Sequence, residues 1–164
     1  MADFAEFQLS AFLNALASPD PTPGGGTASA VAGAMGTSLL IMVAKLPKSR
    51  TGAQEESAAL ADAAERLQSL GERFMVLANA DSDAYNQVLA AYRLPKSTDE
   101  EKKARKAAIQ RAMTAATRTP LDTLRTAAEA MSLARIVAEH GNRNAASDAG
   151  VGIGLLKAAA DGAV

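Results

Sequence analysis

Apolar and small residues recur at helical spacing along nearly the whole chain, and nowhere do apolar and polar residues alternate as they do in a half-buried strand. Phe4, Leu9, Phe12, Leu13 and Leu16 mark a first amphipathic helix, with Asp3 and Glu6 ahead of it in capping-box order. Prolines 19, 21 and 23, followed by Gly24, Gly25 and Gly26, break that helix in a sharp turn. From Thr27 to Ala44 there is no charge, so this helix has no solvated face and is predicted to be a central post wrapped by the others. Small residues at Gly26, Ala30, Ala34 and Ser38 form a ridge that lets a neighbouring helix come close.

After a polar break at 47–52, a long seam runs through Leu60, Ala63, Leu67, Leu70, Phe74, Leu77, Ala84, Val88 and Ala91. Its register demands a core residue at position 81, and the chain has Asp81 there; Asp83 falls on the outer face. Pro95 ends the seam. Ser97 or Thr98, each three residues before a glutamate, opens a basic helix in which Ile109 and Met113 turn inward. Thr119 as N-cap and Pro120 in the first turn start the next helix, whose buried side is Leu121, Leu124, Ala128, Met131 and Ala134. Gly141 stops it, and a last helix runs through Leu155 and Leu156. The expectation is all-α: a single domain, residues 1–164, of about six helices around a buried Ala- and Gly-rich central one.

Composition narrows this picture. The uncharged run, about 18 residues, reaches the lower limit of a membrane span, but its first half is Ala, Gly, Ser and Thr, which favours a buried helix of a soluble protein with no membrane partner. Cysteine is absent and His140 is the single histidine, so disulfides and a metal site drop out. A net charge of −1 from 17 basic and 18 acidic residues gives no general attraction to nucleic acid. The N-terminus lacks signal-peptide character, so the expected location is cytoplasmic.

Three stretches carry candidate chemistry. Asp81 is an acid in an apolar stripe, where an ionised carboxylate is costly unless it is paired or hydrogen-bonded. It reads either as a reactive group or as a core aspartate that caps a neighbouring helix or pairs with an arginine such as Arg118. Backbone N–H groups of Gly24, Gly25 and Gly26 stand at a helix N-terminus, where negative charge is favoured. In Gly141 to Val151, Asn142, Asn144, Ser147 and Asp148 crowd into seven positions, more than a helix stop and a new N-cap require. His140 reads as a last-turn cation near helix carbonyls or as a catalytic group.

Together, P-T-P-G-G-G-T (Pro21 to Thr27), D-S-D-A-Y (Asp81 to Tyr85), R-L-P-K (Arg93 to Lys96) and G-N-R-N-A-A-S-D-A-G-V resemble the cyclodeaminase/cyclohydrolase family. A-I-Q-R-A (Ala108 to Ala112) and T-P-L (Thr119 to Leu121) lie between them in family order. The resemblance implies an all-helical homodimer acting on the one-carbon unit of tetrahydrofolate without metal or redox cofactor. It implies hydrolysis of 5,10-methenyltetrahydrofolate to 10-formyltetrahydrofolate, with formiminotetrahydrofolate cyclodeaminase activity and a non-catalytic helical scaffold as alternatives. Asp81 and Asp148 are then catalytic, and Pro23, Gly24, Gly25, Gly26, Tyr85, Lys96, Asn142, Asn144 and Ser147 contact the folate. Where the family carries a Gly- and Lys-rich run ending in Tyr after the central helix, this chain reads L-P-K-S-R-T-G-A-Q. The expectation includes a missing wall of the site or a partner chain supplying it, and a homodimer or larger closed oligomer in which a neighbouring chain covers part of the central helix.

Overall fold

A computed structural model describes residues 3–164. Six α-helices follow in order: α1 (Leu9–Leu16), α2 (Gly25–Ala44), α3 (Gln54–Tyr92), α4 (Asp99–Ala116), α5 (Arg118–His140) and α6 (Ala146–Asp161). Short 3-10 turns precede α1 and α6, and the described residues contain no strand. α3 and α6 flank α2, with α5 packed behind, and the centre is filled by Leu40, Val43, Leu67, Phe74, Leu133, Val137 and Leu156. α2 and α6 meet backbone to backbone: a Cβ added at Gly36 would stand 2.8 Å from the carbonyl oxygen of Gly152. Only residues without side chains allow that approach.

α2 is long and apolar enough to cross a membrane by length and composition alone, yet it is the core helix of this bundle. Helices of its own chain do not wrap it all round. Only 44% of its most apolar window is buried, and Met35 and Met42 stand 53% and 41% exposed. The four-residue ridge explains part of this: each step of four advances about 40° around a helix, so the row that begins at Gly26 points outward by Ser38. Close packing falls instead on Ala30, Gly33, Gly36 and Thr37.

The α3 seam is buried at Leu60, Ala63, Leu67, Leu70, Phe74 and Leu77, then shifts to Ala78 and Ser82 while Ala84 and Val88 are half-buried. A straight helix drifts about 20° per heptad, and over this length the drift carries the seam sideways. Thr98 proves to be the cap of α4, accepting from the N–H of Glu101 while the Glu101 carboxylate accepts from the N–H of Thr98 at 3.1 Å. α4 buries no residue, and Met113 is exposed rather than turned inward. α5 starts at Arg118, so Thr119 is inside the helix. Its buried face is Thr119, Thr123, Thr126, Ala127, Ala130, Leu133, Ala134 and Val137, whereas Leu121 and Ala128 are exposed. Near the N-terminus Phe4 and Phe12 are buried, but Leu9 and Leu13 are exposed, and Asp3 caps a 3-10 turn through Ala5 N–H instead of forming a capping box.

Candidate functional site

Asp81 lies where α3 passes the N-terminus of α2. Its carboxylate fills the space a side chain on Gly26 would take: a Cβ there would stand 2.8 Å from Oδ2 and closer still to Oδ1. Thr27 Oγ1 donates to Asp81 Oδ2 at 2.9 Å and stands 3.0 Å from Ser82 Oγ. Thr27 is fully buried, Ser82 nearly so, and Asp81 half-buried. Among the described residues no cation pairs with Asp81. Arg118 lines a different hollow with Gln110 and Arg111. The carboxylate does not cap α2 through a backbone N–H either. Its partner is a hydroxyl, and the N-cap of α2 is Gly24, with no side-chain capping bond.

In front of the carboxylate opens a groove of about 420 Å³, walled by Gly26, Pro120, Leu121, Leu124 and Ala163, within the size range of small-molecule sites. Asp81 is the only side chain with an acidic or basic group among its lining residues. A Cβ on Gly24 or Gly25 would meet nothing within 4 Å, so the backbone of this turn is open to a ligand. A larger hollow of about 540 Å³ lies along the outer side of α2 and α3, but the hydroxyls lining it, Thr37 and Ser38, both donate to the Ala34 carbonyl of their own helix. Its other polar side chains, Gln68 and Glu72, are bonded to each other at 3.1 Å, and the rest of its lining is apolar or small.

Of the other residues singled out by the sequence, Pro23 is half-buried just before the glycines, Tyr85 is exposed one turn beyond Asp81, and Lys96 is exposed past the end of α3. The polar knot is elsewhere. Gly141 packs against Val43, near the C-terminal end of α2, and a Cβ on it would lie 3.0 Å from Val43 Cγ1. Asn142, Asn144, Ser147 and Asp148 follow at the start of α6, so within one chain they stand about 25 Å along α2 from Gly26 and Asp81. Asn142 Oδ1 accepts from Asn144 N–H at 2.9 Å; Asn144 and Ser147 are exposed, and Asp148 is half-buried in the first turn of α6.

The same end holds the loop after α2. Arg50 N–H donates to the His140 carbonyl and its guanidinium to the Ala138 carbonyl, both at 2.7 Å. Glu56 accepts from Thr51 N–H at 2.8 Å, and this bond, with one from the Ser49 hydroxyl, holds its carboxyl down to about 2. His140 Nδ1 faces Glu56 at 3.9 Å, so the histidine serves this junction, far from Asp81.

The formiminotransferase-cyclodeaminase family model matches residues 8–164. The chain belongs to that family. It is 45% identical over 145 residues to methenyltetrahydrofolate cyclohydrolase of Methylorubrum extorquens, covering 88% of this chain and 70% of that protein. It is 30% identical over 155 residues to formimidoyltransferase-cyclodeaminase of Gallus gallus, of which it spans 29%. The crystal structure of formiminotetrahydrofolate cyclodeaminase from Thermotoga maritima shares the fold at a TM-score of 0.84 and 27% identity, over 97% of this chain and 75% of that one. Sequence reasoning did not single out Thr27, Ser82 or the apolar wall of Leu121 and Leu124. Thr27 and Ser82 stand inside the P-T-P-G-G-G-T and D-S-D-A-Y motifs, so the signal was present as membership without a role.

Proposed function

We propose that this protein hydrolyses 5,10-methenyltetrahydrofolate to 10-formyltetrahydrofolate. The observation that carries the reading is Asp81: a half-buried carboxylate with no cation beside it, set against a helix N-terminus and an apolar groove. The methenyl bridge is an amidinium, and its positive charge is the partner that this carboxylate lacks. Water bonds to the bridging carbon while one of its protons passes to Asp81. The bond from that carbon to N5 then breaks as N5 takes the proton back from Asp81 and the hydrate hydroxyl gives its own to solvent. One water is consumed, one proton is released, and the formyl group stays on N10. Apolar walls at Leu121 and Leu124 suit the flat pterin, and the open backbone at Gly24 and Gly25 offers N–H donors to its oxygen or to the hydrate. Neither metal nor organic cofactor enters this scheme, and no group of three or more potential ligands occurs among the described residues.

The cyclodeaminase reading stays second. Expelling ammonia calls for a separate donor to protonate the leaving nitrogen, and the groove lining supplies one acid and no other titratable side chain. Spectrophotometry at neutral pH, with chelator, on methenyl and formimino substrates separates the two. Loss of methenyl absorbance above the uncatalysed rate is expected, and Asp81→Asn should lower turnover about a hundredfold or more with the fold kept. Inactivity of the wild type on both substrates would overturn both enzymatic readings.

The protein is proposed to act as a homodimer through the uncovered face of α2. Val31, Met35, Leu39 and Met42 present an uncharged apolar strip, with Glu72 of α3 the charged residue in the hollow beside it. A two-fold axis perpendicular to α2 runs the two copies antiparallel, which sets the Asp81 end of one against the Asn142 to Asp148 end of the other. The second half of the substrate contacts then comes from the neighbouring chain.

A further inference from the structure

We propose that Thr27 and Ser82 are positioning residues that fix which oxygen of Asp81 accepts the proton; the proposal rests on the hydrolytic reading above. Serine and threonine in helices ordinarily return their hydroxyl to a carbonyl of the preceding turn. Ser29, Ser38, Thr123 and Thr126 all do so here, to Gly25, Ala34, Thr119 and Asp122. Thr27 and Ser82 do not. Each turns its hydroxyl toward the other helix, and the two oxygens meet at 3.0 Å beside the carboxylate. A threonine hydroxyl has one hydrogen. Thr27 gives it to Asp81 Oδ2, so Ser82 must donate to Thr27, and the order Ser82 to Thr27 to Asp81 is the one that leaves no hydrogen unused.

This chain of hydroxyls has a chemical consequence. Oδ2 is occupied by a buried donor, while no group among the described residues donates to Oδ1, which rests against Gly26. Oδ1 is therefore the oxygen that receives the water proton. Without the Thr27 hydroxyl the carboxylate is free to turn about its own axis, and the two oxygens exchange roles. No ion pair holds it otherwise. Arg118 lines the adjoining hollow and makes no ion pair with Asp81, Asp161 near the end of α6 is paired with Lys157, and α2 carries no charge.

The experiment is steady-state hydrolysis of methenyltetrahydrofolate by Thr27→Val, Thr27→Ser and Ser82→Ala, with melting curves alongside. Misplacing a reacting group can cost on the order of a hundredfold. Thr27→Val should lower kcat about tenfold or more with KM within about twofold, and Ser82→Ala should lower kcat by a smaller, several-fold factor. Thr27→Ser, which keeps the donor, should hold kcat within about threefold of wild type. A purely structural role would lower melting temperature in Thr27→Val and leave kcat alone, and that result overturns the proposal. Equal loss in Thr27→Ser and Thr27→Val overturns it too, since the hydroxyl would not be what matters. Should Thr27→Val fail to fold, unchanged kcat in Ser82→Ala decides against it. Unchanged kcat in Thr27→Val with an inactive Asp81→Asn removes the positioning role and leaves the hydrolytic reading standing, whereas an inactive wild type removes both.

Discussion

Gly26 and Asp81 compete for one volume, and the competition makes position 26 a direct probe of the acid. In a helix, alanine is more stable than glycine by about 0.5–1 kcal/mol, so Gly26→Ala taken alone should raise the stability of α2. The new methyl group, however, would lie where the carboxylate now sits. Aspartate is short, so relief means turning the carboxylate away from Thr27. The expected outcome is a melting temperature equal to or above wild type together with at least a tenfold loss of turnover, read by calorimetry and by the methenyl absorbance assay. The sequence singled out Asp81 by extending an apolar register that the helix in fact shifts to Ala78 and Ser82, which leaves Asp81 half-buried at the edge of the seam. Thr27 and Ser82 were not legible, because a helical hydroxyl usually bonds its own backbone and only the packed structure shows these two departing from that habit.

Among the elements, helix existence followed from periodicity, and helix phase did not always follow. On α5 the pattern pointed to Leu121 and Ala128, which are exposed, while Met131 packs against the core and the helix turns threonines inward. Thr123 and Thr126 satisfy their hydroxyls on the preceding turn, so they pack as small, apolar-sided residues and let α5 lie close to α3. A count of apolar residues cannot see that. The loop at 45–53 makes a prediction of its own. Its Thr51 N–H is held by the Glu56 carboxylate, whose ionisation is pushed from 4.5 down to about 2 by that bond and by the Ser49 hydroxyl. A depressed carboxyl contributes its stabilisation above the unfolded value and loses it as pH falls through the folded one. Hydrogen exchange at Thr51 should therefore be protected at pH 5 and lose that protection progressively between about 4.5 and 2, and Glu56→Gln should flatten this dependence. Protection that is unchanged at pH 2, or equally pH-dependent in Glu56→Gln, would contradict the assignment.

For the whole molecule, the central fact is that the two polar ends of the bundle do not meet within one chain. If antiparallel copies join them, each dimer holds two composite sites, each needing Asp81 from one chain and the asparagine knot from the other. Asp81→Asn and Asn144→Ala homodimers should then each be impaired. Subunits mixed and re-equilibrated should regain on the order of a quarter of wild-type activity, because half the dimers are mixed and each mixed dimer has one intact site. No recovery, or a monomer by sedimentation at micromolar concentration, would rule out the shared site. The three motifs were legible in the sequence, but their separation was not, since order along a chain says nothing about which end of a helix a motif occupies.

The hydroxyl bridge from Thr27 to Asp81 joins residues 54 apart in the chain. It exists only once α2 has docked along α3, with the Phe74 ring lying over Gly33. A refolding chain can therefore regain full helicity while its acid is still unanchored, and recovery of turnover should lag recovery of far-ultraviolet dichroism. Catalysis becomes a clock for the final closure of the bundle, timing a step to which a measure of helix content is blind.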